Sequence, residues 1–261
     1  MHSSTPSPQA LLEFAGTLAD LARPVALRYF RQPLKVESKA DDSPVTVADR
    51  EIERLLREHI RARFPDHGIL GEEYGAEQMA SDFVWAVDPI DGTKSFVTGM
   101  PTFGTLIALL QDRRPHLGVI DMPALGERWV GLAGQPSTFN GKACRTRAGV
   151  PLDSAVLYST SPEQFAGADQ PPYAALSRAV GLHRFGGDCY AYGLLASGLI
   201  DAVVEATLQP YDYLSLVPII EGAGGVVTDW EGRALHIASD GRVLAAATPE
   251  LHAQMLRKLA A

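Results

Sequence analysis

Hydrophobic residues at three- and four-residue spacing predict two helices near the start of the chain. The first covers residues 8–30, with Pro8 in its opening turn and Pro24 expected to kink or split it. The second starts near Thr46 and ends where Phe64 and Pro65 interrupt the pattern. Short apolar runs bounded by turn residues follow, and these predict strands. The strands cover residues 83–87, 105–110, 117–120 and 128–132.

Beyond about residue 150 the pattern changes to strands that alternate with helices. The predicted strands cover residues 155–159, 202–205, 226–228 and 243–246, and the predicted helices cover residues 190–197, 211–222 and 249–259. Such alternation is typical of layered α/β structure. We therefore expect a layered α/β half behind a more antiparallel α+β half, with the boundary near residues 145–150.

The composition is that of an ordinary globular protein. Of the 261 residues, 46% are hydrophobic and 21% are charged, which excludes a disordered or collagen-like chain. The 23 Lys and Arg residues against 31 Asp and Glu residues give a formal net charge of −8. A chain with this balance and no basic run has no electrostatic footprint for nucleic acid or an anionic membrane. To bind an anion such as phosphate, it needs metal ions or backbone amides.

The two cysteines, Cys144 and Cys189, lie far apart and in neither CxxC nor zinc-finger spacing. This excludes a disulfide scaffold and indicates reduced thiols. The N-terminus has no basic segment followed by an apolar core, and no stretch approaches the roughly 18 apolar residues that span a bilayer. We therefore expect a cytoplasmic protein without a membrane segment.

Acidic residues are predicted at or near the ends of several strands and helices. They are Asp49, Glu72, Glu73, Asp88, Asp91 and Asp212. Hard divalent cations such as Mg²⁺ prefer carboxylate oxygens, and a site for two or three ions needs a set of about this size. The seven histidines show no ligand spacing and the chain has no HExxH motif, which disfavours zinc.

The segment from Asp88 to Thr93 can form a compact site for a metal and an anion. Its two aspartates, three residues apart around Pro89, point into one pocket if the chain turns sharply there. Gly92 permits close backbone approach, and Thr93 supplies a hydroxyl and, at the start of a short helix, N–H groups for a phosphate. Because turns rich in Asp and Gly are also common structural features, the segment alone leaves both interpretations open.

Together, three segments resemble the signature segments of inositol-monophosphatase-like phosphatases. They are Gly71-Glu72-Glu73, the run from Trp85 to Thr93, and Tyr211-Asp212 followed by the run from Glu221 to Gly225. The resemblance implies the layered αβαβα sandwich of the fructose-1,6-bisphosphatase and inositol monophosphatase fold, an α+β architecture. It also implies two to three Mg²⁺ ions per active site, frequent inhibition by Li⁺ and a homodimer. Residues 1–147 would form an N-terminal half with the metal-binding motifs, and residues 148–261 a C-terminal half with the substrate-specificity loop, in one catalytic unit.

The resemblance assigns metal-binding roles to oxygen atoms at the acidic positions. The implied ligands are Glu72, Glu73, Asp88, the carbonyl of Ile90, Asp91 and Asp212. Glu72, Asp88 and Ile90 would hold one ion, whereas Asp88, Asp91 and Asp212 would hold a second. Glu72 and Glu73 would help to hold a weaker third ion near the attacking water.

The remaining implied roles are catalytic. Asp49, Thr93 and Glu72 are expected to orient and deprotonate the attacking water, and the amides of Gly92 and Thr93 are expected to hold the phosphate. Lys39 is either a further residue that steadies the phosphate or the acidic cluster, or a solvated lysine in a loop.

Three further stretches resemble the histidinol-phosphate phosphatase branch of this family: residues 103–110, 118–129 and 186–193. Histidinol phosphate carries an ammonium and an imidazole, so its pocket should offer carboxylates beyond those on the metals. Asp188, after Gly186 and Gly187, and Glu205 are the candidates to pair with these groups. Alternatively, Asp188 caps a helix that starts at Cys189, and Glu205 is a surface charge at a strand end.

The expected substrate contacts therefore come from the predicted phosphate-binding turn at residues 90–93, from the predicted specificity loop at residues 186–188, and from two further acids. They are Ile90, Asp91, Gly92, Thr93, Gly186, Gly187, Asp188, Glu205 and Asp212. Arg184 either borders this pocket or forms a surface ion pair.

The predicted activity is that of a Mg²⁺-dependent phosphomonoesterase that hydrolyses a small phosphorylated metabolite, L-histidinol phosphate, by attack of a metal-activated water. Inositol-1-phosphate and 3′-phosphoadenosine 5′-phosphate are the alternative substrates. A non-enzymatic metal-binding protein is disfavoured, because the metal-binding and water-activating residues are all present.

Overall fold

The computed structural model describes residues 6–33, 37–38 and 44–260. Its helices are α1 Pro8–Tyr29, α2 Val47–Arg63, α3 Thr93–Thr98, α4 Gln170–Ala179, α5 Tyr190–Ala196, α6 Pro210–Tyr213, α7 Leu216–Gly222 and α8 Pro249–Leu259. Its first strands are β1 Glu37–Ser38, β2 Pro44–Val45, β3 Gly68–Gly71, β4 Gly75–Glu77, β5 Phe83–Asp91, β6 Gly104–Gln111, β7 Arg114–Met122 and β8 Glu127–Leu132. The remaining strands are β9 Thr138–Phe139, β10 Lys142–Ala143, β11 Val156–Ser159, β12 Leu182–Phe185, β13 Ala202–Glu205, β14 Val226–Thr228 and β15 Val243–Ala246.

The two N-terminal helices start where the sequence predicts. The hydroxyl of Ser7 accepts a hydrogen bond from the amide of Ala10 and so caps α1. At the start of α2, Thr46 and Asp49 bond to each other's backbone in a reciprocal capping box. Pro24 lies inside one continuous α1, so it does not split the helix, and the alternative that it kinks the helix stays a prediction.

Two larger sheets organise the chain. The first has the strand order β10-β9-β8-β7-β6-β5-β3-β4, and it is antiparallel except where β3 pairs with β5. The second has the order β12-β11-β13-β15-β14, in which β11 runs parallel to both β12 and β13. The expected contrast between an antiparallel N-terminal part and a mixed C-terminal part is therefore present. The exact division into residues 1–147 and 148–261 stays a proposal.

The side chains of both sheets alternate between helical layers, which produces five layers. Trp85 of β5 packs against α1 and α2, whereas its neighbour Val84 faces α5, α6 and α7. On the second sheet, Val203 faces the same central helices, whereas Val204 faces α4 and α8. The order helices, sheet, helices, sheet, helices confirms the predicted αβαβα sandwich.

The predicted helix over residues 211–222 is wrong in one respect, because it is divided into α6 and α7. Pro218 has no N–H to donate to the carbonyl of Leu214, which explains a break just before α7. The sequence also failed to predict β3, α4 and β12, which are short or carry polar residues. In the part of the chain that the structure describes, no helix has the length and apolar character needed to cross a membrane.

Candidate active site

The end of β5 carries two of the acidic residues, and an irregularity in its pairing orients them. Asp88 pairs with Leu106 and Asp91 pairs with Gly104, so β5 has one residue more than β6 between these pairs. In a regular strand, residues three apart point to opposite faces, and the extra residue turns Asp91 back toward the side of Asp88. The amide of Ile90 donates to Asp88 Oδ1 at 3.0 Å and fixes this bulge.

A third acidic residue reaches this point from the second half of the chain. Asp212 lies in α6, where its Oδ2 accepts a hydrogen bond from the amide of Gln209 at 2.7 Å. One carboxylate oxygen from each of Asp88, Asp91 and Asp212 lies within 4.8 Å of the others. The amide of Cys189 donates to Asp91 Oδ2 at 2.7 Å. We call Asp88, Asp91 and Asp212 the three-acid cluster.

Burial and mutual repulsion make this cluster electrostatically unfavourable without a cation. Burial, and then the charge of Glu72, raises the pKa of Asp88 well above its ordinary value. Burial, and then the charge of Asp91, has the same effect on the pKa of Asp212. Burial, and then the charge of Asp188, raises the pKa of Asp91 to about 7. Within the described ranges, no Lys, Arg or His forms an ion pair with these three aspartates.

The two glutamates after β3 lie in different surroundings. Glu72 lines the cavity beside the three-acid cluster, and its charge helps to raise the pKa of Asp88. Glu73 is half-buried and does not line the cavity, and its amide donates to the buried carboxylate of Glu53 at 2.6 Å. The geometry therefore brings Glu72, and not Glu73, into the lining of the cavity.

Asp49 is buried at the start of α2, and its two carboxylate oxygens differ. Oδ2 accepts hydrogen bonds from the amide of Thr46 at 2.9 Å and from the Thr46 hydroxyl at 2.5 Å. Oδ1 is buried and has no hydrogen-bond partner among the described residues. Burial raises the pKa of Asp49, although its hydrogen bonds to Thr46 act in the opposite direction. An orphaned acceptor at this position fits a bound water.

A cavity of about 450 Å³ opens beside the cluster. Of the predicted site residues, those that line it are Glu72, Asp91, Gly92, Thr93, Gly186, Asp188, Glu205 and Asp212. Gly92 is required at its position, because its φ of 79° is left-handed and a Cβ there would lie 2.8 Å from Asp188 Cγ. Thr93 opens α3, as predicted, and its hydroxyl donates to the Ile90 carbonyl at 3.1 Å.

Asp188 packs directly against Gly92 and is not a helix cap. Cys189 is the residue before α5, and no side chain caps this helix. Instead, Asp188 Oδ2 accepts hydrogen bonds from the hydroxyls of Ser95 at 2.5 Å and Thr102 at 3.1 Å. The alternative interpretation of Asp188 as a capping residue is therefore wrong, because its backbone is left-handed, with a φ of 44°, and its carboxylate turns toward α3.

Glu205, the last residue of β13, is buried with only 3% of its surface exposed. Its Oε1 accepts from the amide of Thr160 at 3.1 Å, and its Oε2 accepts from the hydroxyl of Tyr192 at 2.8 Å. Burial raises the pKa of Glu205 to about 7, although both hydrogen bonds act in the opposite direction. The alternative interpretation of Glu205 as a surface charge is therefore wrong, because three separate segments enclose it.

Several predicted residues lie away from the cavity. Lys39 falls outside the described residues. Arg184 is exposed on the edge strand β12 and does not line the cavity, and neither does Gly187. The Ile90 side chain is buried, and its carbonyl oxygen is the atom relevant to a metal.

The sequence analysis missed other residues that line the cavity. They are Lys94, Ser95, Thr160, Ser161, Glu163, Gln164, Cys189, Tyr192, Leu208 and Leu216. Ser95 and Tyr192 stand within or next to segments that the sequence had singled out. Their importance lies in contacts to Asp188 and Glu205 across the fold, and no local pattern shows such contacts.

The cavity can therefore do two things chemically. The clustered carboxylates present the hard oxygen ligands that Mg²⁺ prefers. Asp188 and Glu205 line the same cavity and add negative charge beside the cluster, where the charge of Asp188 raises the pKa of Asp91. Together they suit a ligand with an anionic end, held through metal ions, and a cationic end.

Comparisons with known proteins agree with this geometry. The sequence model of the inositol monophosphatase family matches residues 7–261. A chloroplast protein of Arabidopsis thaliana named bifunctional phosphatase IMPL2 is 45% identical over 251 residues, which cover 93% of this chain and 72% of that protein. A histidinol-phosphatase of Chlorobaculum parvum is 40% identical over 238 residues, which cover 90% of this chain and 91% of that enzyme.

A solved structure has the same fold. An inositol monophosphatase from Zymomonas mobilis superposes with a TM-score of 0.90 and 41% sequence identity, over 98% of this chain and 100% of that one. The fold is therefore shared from end to end.

Proposed function

Because the chain belongs to the inositol monophosphatase family of phosphatases, we propose that it is a Mg²⁺-dependent phosphomonoesterase whose substrate is L-histidinol phosphate. The observation that carries this choice of substrate is the second acidic group in the cavity, formed by Asp188 and Glu205. The relative from Chlorobaculum parvum that is named a histidinol-phosphatase supports it. A homodimer, a cytoplasmic location and a role in histidine synthesis are parts of the same proposal.

The residues fit a divalent metal site. Three carboxylates within 4.8 Å of one another, with raised pKa values, hold more negative charge than the described part of the chain neutralises. We propose Glu72, Asp88, Asp91, Asp212 and the Ile90 carbonyl as ligands, with Glu73 in a supporting role. Ions bound there supply the charge that neutralises the ester and lowers the pKa of a bound water.

The chain itself orients the reacting groups. Asp49 Oδ1 is a buried acceptor without a partner among the described residues, and we propose that it accepts a hydrogen bond from the attacking water. Thr93 and Glu72 line the cavity and would complete the orientation of this water. The amides of Gly92 and Thr93 are proposed to hold the phosphate, because both residues line the cavity at the start of α3.

Glu205 and Asp188 select the substrate in this proposal. Both are mostly buried, and Glu205 forms no ion pair with a Lys, Arg or His of the described chain, whereas the charge of Lys94 partly offsets the effect of burial on the pKa of Asp188. A buried acid without a cation is costly, and a bound ammonium or imidazolium removes this cost. A neutral polyol gives no such compensation. We therefore expect a strong preference for a cationic ester.

Phosphate release from three esters tests the proposal. Purified protein is assayed with L-histidinol phosphate, inositol-1-phosphate and 3′-phosphoadenosine 5′-phosphate, each with Mg²⁺ and with EDTA. We expect the highest kcat/KM for histidinol phosphate, and loss of all activity in EDTA. Equal or better hydrolysis of inositol-1-phosphate would contradict the assignment of substrate but leave the metal site intact.

The variant Glu205→Gln tests the proposed role of the Glu205 carboxylate in binding the substrate. Loss of a charge-assisted contact should raise the KM for histidinol phosphate roughly 10-fold. The kcat/KM for p-nitrophenyl phosphate, which has no cationic group, should change less than about threefold. Glu51→Gln is the matched control, because Glu51 also accepts from a tyrosine hydroxyl at 2.8 Å, that of Tyr29, but lies outside the cavity.

A further inference from the structure

Tyr192 is a buried tyrosine whose hydroxyl group has a single hydrogen-bond partner in the described structure, the Glu205 carboxylate. The residue is only 1% exposed and lies within α5, in the apolar core of the central layer. Its hydroxyl donates to Glu205 Oε2 at 2.8 Å. A phenylalanine would fill almost the same volume, so packing alone does not require the hydroxyl.

The Tyr192 hydroxyl donates to a carboxylate whose charged form is destabilised by burial. Glu205 ends β13 and lines the cavity, and it forms no ion pair with any of the described residues. Its two oxygens are held by different elements, Oε1 by the amide of Thr160 after β11 and Oε2 by Tyr192 of α5. A carboxylate has about four lone-pair positions, so two donors still leave acceptor capacity for a ligand.

The Tyr192 hydroxyl also remains protonated and can therefore donate this hydrogen bond. Burial, and then the charge of Glu205, raises the pKa of Tyr192 well above its ordinary value, so the phenol keeps its proton. The hydrogen bond from Tyr192 in turn favours the charged form of Glu205, against the effect of burial. Both side chains lie on regular elements, which fixes their geometry more tightly than a loop would.

We propose that Tyr192 is a positioning residue for substrate selection, which holds the Glu205 carboxylate in place to pair with the cationic end of the phosphate ester. This inference rests on the proposed histidinol-phosphate activity. Tyr192 does not touch the reacting phosphate in this proposal, so its hydroxyl should affect the binding of cationic esters and not the chemical step.

The test compares Tyr192→Phe with the wild-type enzyme on two substrates, with Mg²⁺ present. For L-histidinol phosphate we expect KM to rise about 10-fold, because a hydrogen bond to a charged group is lost, while kcat changes less than about threefold. For p-nitrophenyl phosphate, kcat and KM should both stay within about threefold. A merely structural role of the hydroxyl would change the two substrates alike.

Tyr29→Phe is the matched control. Tyr29 also donates to a glutamate carboxylate, that of Glu51, at 2.8 Å, but it lies at the end of α1 and outside the cavity. It should leave both substrates unchanged. Inhibition by L-histidinol gives a second readout, since its inhibition constant should rise in Tyr192→Phe by the same factor as KM.

The outcomes separate the two proposals. If wild-type enzyme prefers histidinol phosphate and Tyr192→Phe changes neither substrate, or both equally, the role of Tyr192 is refuted and the proposed function stands. If the wild-type enzyme has no such preference, the proposed function fails and the inference falls with it. A rise in KM confined to histidinol phosphate, together with weaker inhibition by histidinol, supports both.

Discussion

The molecule buries acidic side chains in two different ways. Away from the cavity, arginines neutralise two of the buried acids: Asp121 contacts Arg23 and Arg128, both at 2.6 Å, and Asp201 contacts Arg147. We call Asp121 and Asp201 the arginine-paired acids. In the cavity, the three-acid cluster and Glu205 have no such partner in the described chain, and burial raises the pKa of each.

This difference indicates which acids serve the fold and which serve a ligand. An arginine-paired acid is neutralised inside the chain, so it supports the structure regardless of what the cavity holds. In the function proposed above, the acids of the three-acid cluster are compensated by a metal ion and Glu205 is compensated by a cationic group of the substrate. Removing the partner of an arginine-paired acid should therefore lower stability and leave catalysis almost unchanged. Substituting an acid of the three-acid cluster should lower activity without lowering stability in EDTA.

The largest effect is expected from Asp91→Asn. Loss of a proposed metal ligand should lower kcat/KM by roughly 10³-fold or more, because the metal supplies several kcal/mol of charge stabilisation. Asparagine keeps the shape and can still accept from the Cys189 amide. In EDTA the variant should be at least as stable as the wild type, because one buried charge is removed. Phosphate release and thermal unfolding measure these two results.

Unchanged activity in Asp91→Asn would refute the metal role of this residue. Loss of activity together with a large loss of stability in EDTA would also contradict the comparison, since it would make Asp91 a structural residue. Asp66→Asn, on the surface and outside the three-acid cluster, is the control for removing one negative charge.

The converse substitution is Arg147→Met. This substitution leaves the fully buried Asp201 without its arginine partner. The free energy of unfolding should therefore fall by about 2–3 kcal/mol. This value is at the low end for buried ion pairs, because Arg147 is partly exposed. The kcat and KM of the folded variant should stay within about twofold of wild type. Urea unfolding measures the first quantity and steady-state kinetics the second.

For Arg147→Met, the control is Arg54→Met, which breaks an exposed pair with Glu58 and should change stability by less than about 1 kcal/mol. If Arg147→Met changed catalysis strongly and stability little, the assignment of Asp201 to the structural group would be wrong.

The pH dependence of stability gives a smaller effect. Burial raises the pKa of Asp91 and Glu205 from ordinary values near 4 to about 7, so the folded state binds more protons than the unfolded state between these limits. Stability in EDTA should therefore be highest below about pH 4 for these groups, fall as the pH rises from about 4 to 7, and level off above about pH 7. We expect a loss of a few kcal/mol, seen as a fall in Tm of several degrees.

Mg²⁺ should reverse this trend, because it binds the ionised carboxylates and stabilises the folded state by mass action. The difference in Tm between Mg²⁺ and EDTA should grow from pH 5 to pH 8. A difference in Tm that is constant across this range would contradict the raised pKa values.

Much of the fold could be predicted from the sequence where local pattern decides the structure. The strand over residues 202–205 and the closing helix over residues 249–259 match β13 and α8, because apolar runs with clear boundaries determine them. The break between α6 and α7 was missed, since the periodic pattern continues across it and only the position of Pro218 indicates it. The resemblance to a family, and not the periodicity, supplied the layered architecture.

The sequence predicted the three-acid cluster of the candidate site better than it predicted the surroundings of the other two acids. Asp88, Asp91 and Asp212 stood out as acids near element ends, and the structure brings their carboxylates together. The surroundings of Asp188 and Glu205 were not predictable, because their partners are distant in sequence. Ser95 lies 93 residues before Asp188, so only the folded chain shows this contact.

Calorimetric titration of Mg²⁺ into the metal-free protein at pH 7 tests the central claim most directly, that the acids in the cavity are compensated from outside the chain. It is performed in two buffers of different ionisation enthalpy and repeated with Asp91→Asn. We expect saturable binding by the wild-type protein with release of protons to the buffer, and much weaker binding by the variant. Equal binding by both proteins, or no binding and no proton release by the wild type, would contradict this claim.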